Sequence, residues 1–259
     1  MTTANPIPTG FRNITPYLVV PNSANLLQFL KSAFNATELI AHKNDNGSIL
    51  HAELKIGDSI LEMGEVGNAE KQSLTANIHH YVPNVDAVYQ QALNAGATSI
   101  YPVTDMPYGE RSGGILDPSG NHWYIATSAK GNYVADGYYD INPYLILNNA
   151  TAFYEFLQNA FAAKPRGKFA GPNGQIQHAA VTIGNSIVEL ADASDKFPAR
   201  PSALHYYTED CDAVFNHAQK HGAKILTPLK DEPYGDRIGG LHDDWGNHWY
   251  IATHKEDLS

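Results

Sequence analysis

The chain has 259 residues, a net charge of −10 from 17 Lys and Arg against 27 Asp and Glu, and 43% hydrophobic residues. That acidic balance, with no dense basic run, argues against nucleic acid and against an anionic membrane surface as partners. The single cysteine, Cys211, excludes an intrachain disulfide framework and a Cys-based zinc site. With no apolar leader core at the N-terminus and no stretch near the about 18 apolar residues of a membrane span, a cytoplasmic protein is expected.

Residues 1–13 read as a polar tail, and 16–20, PYLVV, as a strand. Asn22-Ser23 offers an N-cap. Leu26, Leu27, Leu30, Ala33 and Phe34 then recur at helical spacing, which predicts a helix over 24–35. Strands are expected at 37–43, 48–56 and 59–65, the last two joined by Gly57-Asp58, where Gly in the first central place suits a type II′ turn. A polar loop follows at 67–73. Residues 78–82 start the same order again, with a helix opened by Pro83 or Asn84 and carrying Val85, Val88, Tyr89, Ala92 and Leu93. Gly96 is the expected left-handed cap. Strands at 98–103, 111–116 and 121–127 complete the unit, and 128–139 is a linker.

The second half then repeats the first. YGERSGGILDPSGNHWYIAT, from Tyr108, returns as YGDRIGGLHDDWGNHWYIAT from Tyr234, identical at fourteen of twenty positions. PYLVVPNSANLLQFLKSAF likewise maps on PYLILNNATAFYEFLQNAF without a gap. An internal repeat on this scale sets the architecture. The reading is an α+β chain of four βαβββ modules in two tandem domains, 14–127 and 140–254, with curved mixed sheets.

These modules, together with the HAELKIGDSILEMGE hairpin, VDAVYQQALNAGA and the NHWYIAT strands, resemble the vicinal-oxygen-chelate superfamily. That group contains glyoxalase I, bleomycin-resistance proteins and extradiol dioxygenases, and the likeness is greatest to its glyoxalase-like bacterial branch. The resemblance implies lyase, isomerase or dioxygenase chemistry, or plain small-molecule binding. In metal-dependent members, ligands come from the first and last strands of the modules. Here the first-strand positions fall on Thr15, Asn77, Asn142 and Ala203, where the family usually has His. The last-strand positions fall on Glu62, Tyr124, Glu189 and Tyr250, where it usually has Glu. Only Glu62 and Glu189 keep a good ligand, so the usual metal site is not expected.

The residues also speak for themselves. A two-residue loop at 57–58 sets Glu53 opposite Glu62, and period-2 alternation puts His51, Glu53 and Glu62 on one polar face. His178 and Glu189 stand in the same relation in the second repeat, with Ala180 in place of Glu53. Each His–Glu couple suits general acid–base work, which makes Glu62, His51, Glu189 and His178 the candidate catalytic residues. A hydrogen-bonded but inert couple is the bland alternative, and a His/Glu metal site the sharper one. No other cofactor is indicated. His79, Asn77, Tyr124, His205, Tyr250 and Arg111 are candidate ligand contacts; for Arg111 a local salt bridge is the competing reading. Trp123 and Trp249 read as core anchors.

The expected function is therefore a glyoxalase-like small-molecule enzyme of proton-transfer, isomerase or lyase type. The alternative is a metal-free small-molecule sequestration protein of the bleomycin-resistance kind. The partner is a small molecule. The repeats are already fused as a pseudo-dimer, so either a monomer or a homodimer is compatible.

Overall fold

The computed structural model describes residues 4–66, 72–130 and 132–257. The polar loop expected at 67–73 lies mostly outside them. The first two modules run β1 (Ile14–Val20), α1 (Ser23–Phe34), β2 (Thr37–Lys43), β3 (Ile49–Ile56), β4 (Ser59–Glu65), then β5 (Asn77–Tyr81), α2 (Val85–Asn94), β6 (Thr98–Met106), β7 (Glu110–Leu116), β8 (His122–Ser128). The repeat runs β9 (Ile141–Leu147), α3 (Ala150–Phe161), β10 (Lys164–Ala170), β11 (Ile176–Ile183), β12 (Ser186–Asp192), then β13 (Ala203–Tyr207), α4 (Cys211–Lys220), β14 (Lys224–Asp231), β15 (Asp236–His242), β16 (His248–His254). Four βαβββ modules are present, an α+β fold with mixed sheets. No helix among the described residues is long and apolar enough to cross a membrane.

The chain divides into two compact units, Pro16–Tyr144 and Leu145–Ser259 together with Met1–Thr15. In the first, β1 runs parallel to β4, and β4, β3 and β2 follow as an antiparallel meander. In its second module β5 is parallel to β8, β8, β7 and β6 follow in the same way, and the first residues of β9 pair with β5. The helices close over one face of these strands. Leu26, Leu30 and Ala33 of α1 and Ala92 of α2 share a core with Ala52, Leu54, Leu61 and Met63. The second unit has its own core, built from the corresponding residues around Phe153, Leu157, Phe161 and Trp249. Each strand thus turns one face to its core, and its alternate residues face the other way.

The twenty-residue repeat proves to be architecture. Asp117 Oδ1 accepts from the backbone N–H of Ser119 (2.8 Å) and Asn121 (3.0 Å). Its Oδ2 accepts from Asn121 Nδ2 (2.8 Å) and Trp123 Nε1 (3.0 Å). Asn121 Oδ1 in turn accepts from Ala76 N at 3.0 Å, which ties the loop to the start of β5. Asp243, Asn247 and Trp249 repeat this latch. Trp123 and Trp249 are fully buried, as expected of core anchors. Cys211 is buried as well, at the start of α4.

Two expectations are corrected. Asn22 adopts a left-handed backbone and makes no side-chain cap. Glu65, at the end of β4, takes that role, accepting from the N–H of Asn22 (3.1 Å) and Ser23 (2.8 Å). Residues 4–13 are also more than a polar tail. Phe11 packs edge-on against Tyr207 with ring centroids 5.3 Å apart, and Asn13 exchanges hydrogen bonds with Asn185 at 2.8 and 2.9 Å.

Candidate functional site

The β3–β4 hairpin builds the site. Gly57 sits at φ 58 and Asp58 outside the positive region, as a type II′ turn requires. A Cβ on Gly57 would lie 1.7 Å from Asp140 Oδ2, which receives the Asp58 N–H at 2.8 Å, so the turn needs glycine for two reasons. The turn fixes the register. Ala52 opposes Met63 and Leu54 opposes Leu61 on the core face, while Glu53 opposes Glu62 on the other. Tyr17 of β1 stands beside Glu62 from the parallel side.

His51 completes the group. Its Nε2 lies 3.7 Å from Glu53 Oε1 and 3.8 Å from Glu62 Oε1. Glu62 is buried, Glu53 and His51 partly so, and the Tyr17 ring stands edge-on to the imidazole at 5.8 Å. Gly64 makes room for that ring, since a Cβ there would come 3.0 Å from the Tyr17 hydroxyl. Burial alone would lower the His51 pKa; the neighbouring carboxylates of Glu53 and Glu62 outweigh it and raise the pKa above the usual histidine value. The three donor atoms lie within 4.8 Å of one another, a set able to hold a proton or a metal ion.

In the second repeat His178 Nε2 is 2.8 Å from Glu189 Oε1. Ala180 stands opposite Glu189, so this couple has one carboxylate where the first has two. Glu189 is buried and His178 partly so.

The remaining predicted contacts fall elsewhere. Asn77, His79 and Tyr124 lie on the β5–β8 face opposite the core, on strands separate from the β3–β4 hairpin. The His79 ring lies tilted against Tyr81, with centroids 4.3 Å apart, and approaches Glu110 at 3.7 Å, while Tyr81 donates to Glu110. Tyr124 stacks on Tyr101 at 6.4 Å. His205 stacks on Tyr207 at 4.2 Å, next to Tyr250 across the β13–β16 pair. Arg111, expected among the ligand contacts, instead grips Asp86 through two bonds of 2.7 Å and Asp105 at 3.0 Å, tying β7 to α2. Tyr17 is not among the residues expected at the site. Its signal was the Pro-Tyr pair that recurs at Tyr144 at the same place in the repeat.

The metal positions implied by the superfamily do not fit a conventional site. Ala203 has no donor atom. The Asn142 amide is bonded to Tyr139, donating to its carbonyl at 2.7 Å. Asn77 presents a neutral amide, a weak ligand for the first-row metals that histidine and carboxylate hold.

Comparison with known proteins agrees with this architecture. The chain is 36% identical over 130 residues to uncharacterised proteins of Mycobacterium tuberculosis (strain H37Rv) and Mycobacterium bovis; the match covers 46% of this chain and 76% and 86% of theirs. The crystal structure of glyoxalase I from Zea mays superposes with a TM-score of 0.69 at 14% identity, covering 92% of each chain, a likeness of fold. The family model described as Glyoxalase/Bleomycin resistance protein/Dioxygenase superfamily matches residues 13–125 and again 141–251. With both halves matched over nearly their whole length, the chain belongs to the glyoxalase/bleomycin resistance protein/dioxygenase superfamily.

Proposed function

We propose that the protein is a small-molecule enzyme that transfers a proton at a carbon next to a carbonyl, and that the chemistry centres on His51, Glu53 and Glu62. One observation carries this reading: an imidazole lies between two carboxylates, one of them buried, on the strand face turned away from the core. Glu62 is the base. Its carboxylate takes the proton from carbon, and the electron pair moves into the carbonyl as the enolate forms. His51 donates its N–H to the carbonyl oxygen, where the negative charge develops, and Glu53 holds the ring in place. Where the deprotonated carbon bears a hydroxyl, return of the proton to the former carbonyl carbon, with the hydroxyl proton passing to the other oxygen, gives isomerisation; where the β carbon bears a leaving group, its departure with a bonding electron pair gives elimination. His178 and Glu189 form the reduced version of the same couple in the second repeat and serve as an auxiliary site.

The test is proton exchange with heavy water. A panel of α-hydroxy and α-keto carbonyl compounds and hemithioacetals is followed by NMR for enzyme-dependent loss of the α-proton. Exchange is expected in at least one class. Glu62→Gln is expected to slow it on the order of a hundredfold or more, the usual size of a general-base contribution. Absence of exchange across the panel, or an unchanged rate in Glu62→Gln, refutes the proposal.

A further inference from the structure

A buried amide that bonds to nothing costs the folded state the hydration of both its polar atoms, so such a group calls for a partner. Asn77 is that group. It opens β5, it is 1% exposed, and neither Nδ2 nor Oδ1 has a hydrogen-bond partner among the described residues. Ile78 belongs to the core, so Asn77 and His79 take the other face of the strand. There Asn77 stands beside His122, and His79 beside Tyr124, in the parallel β5–β8 pair. The second repeat keeps the corresponding His248 and Tyr250 but has Ala203 at the place of Asn77. The fold therefore does without the amide in one unit and carries it in the other.

Tyrosines wall this face. Tyr124 meets Tyr144 edge-on at 5.5 Å and lies near-parallel to Tyr101 at a centroid distance of 6.4 Å. Gly114, opposite Tyr124 on β7, makes room for Tyr101, since a Cβ there would run into its ring. Tyr101 and Tyr144 are partly exposed, so the wall reaches solvent. The Asn77 amide offers donors on nitrogen beside an acceptor on oxygen. A carboxylate would satisfy Nδ2 alone, and a cation Oδ1 alone. A neutral edge with C=O beside N–H satisfies both, and tyrosine faces take up a flat ring. Where the superfamily usually has a histidine ligand, this chain thus holds a group suited to a neutral partner in place of a metal.

We propose that Asn77, with Tyr124 and its flanking tyrosines, binds a planar heterocyclic lactam. The lactam carbonyl accepts from Nδ2, the lactam N–H donates to Oδ1, and the ring lies against the tyrosines. The site does not rest on the acid–base reading, because its strands are separate from the β3–β4 hairpin.

The test is calorimetric titration of the full chain with two lactams, carbostyril and hypoxanthine, and with N-methylcarbostyril, whose donor is blocked. Saturable binding is expected for at least one lactam. The N-methyl form is expected to bind at least about tenfold more weakly than carbostyril, a comparison made on the wild type and so independent of any variant's folding. Asn77→Ala, which copies the second repeat, is expected to weaken lactam binding on the order of tenfold to a hundredfold and to keep the thermal midpoint, since it removes an unpaired amide. Asn77→Asp, which puts an acceptor in place of the donor, is expected to lose binding as well. The proposal falls if neither lactam binds up to its solubility, if the N-methyl form binds as tightly as carbostyril, or if Asn77→Ala binds as the wild type does. It also falls if Asn77→Ala lowers the thermal midpoint by several degrees, which would assign the amide to the fold through a buried water.

Discussion

At the scale of single residues, burial decides which polar groups serve stability and which remain for chemistry. His80 is fully buried between Phe34, at a ring-centroid distance of 4.8 Å, and Trp123, and its pKa is pushed down to about 3 by burial first and by neighbouring His79 second. The folded state therefore resists a proton that the unfolded chain accepts near pH 6.5. Stability is full above pH 6.5 and falls as the pH drops toward 3, by about 1.4 kcal/mol per pH unit for this one group. Urea unfolding at pH 7 and pH 5 is expected to show that loss in wild type and a shallower pH slope in His80→Leu; identical slopes would contradict it. The Asp117 latch gives a second expectation. Asp117→Asn turns an amide donor toward Asn121 Nδ2 and Trp123 Nε1, leaving a buried donor unpartnered, and is expected to cost about 2–4 kcal/mol in chemical denaturation.

At the scale of elements, the sequence was legible wherever the physics is local. The helical spacing of Leu26, Leu27, Leu30, Ala33 and Phe34 predicted α1, and Gly57-Asp58 predicted the β3–β4 turn and, through it, the opposition of Glu53 and Glu62. What escaped was non-local. Tyr17 joins His51 only because β1 runs parallel to β4, a pairing no local signal carries. The cap on α1 comes from Glu65, some forty residues downstream, so Asn22-Ser23 looked like a cap although the Asn22 side chain makes none. Residues 1–13 have a polar composition that hides Asn13, whose side chain accepts from Asn185 and donates to the Tyr207 carbonyl at 2.9 Å. Removing residues 1–13 is therefore expected to lower the thermal midpoint by several degrees, as a loss of roughly 2 kcal/mol would; an unchanged midpoint would mean that the segment contributes nothing. The conspicuous YG-to-NHWYIAT repeat turned out to consist of latches and ties, with Arg111 bound to Asp86 and Thr127 accepting the Val85 N–H at 3.0 Å.

At the scale of the whole molecule, duplication kept the architecture while the residues on the polar face of the hairpin diverged. Each unit retains its own core, its buried tryptophan and its Asp–Asn latch. The paired carboxylates are found in the first unit, where Glu53 faces Glu62, while Ala180 faces Glu189 in the second. The superfamily carries several chemistries on one fold, so the activity must be argued from this difference and not from the architecture. The measurement that tests the account most directly is the heavy-water exchange rate of Glu62→Gln beside that of Glu189→Gln, each checked for unchanged thermal midpoint. The expected result is a fall on the order of a hundredfold or more in the first and a change within a few-fold in the second. Equal losses in both, or the larger loss in Glu189→Gln, would contradict it.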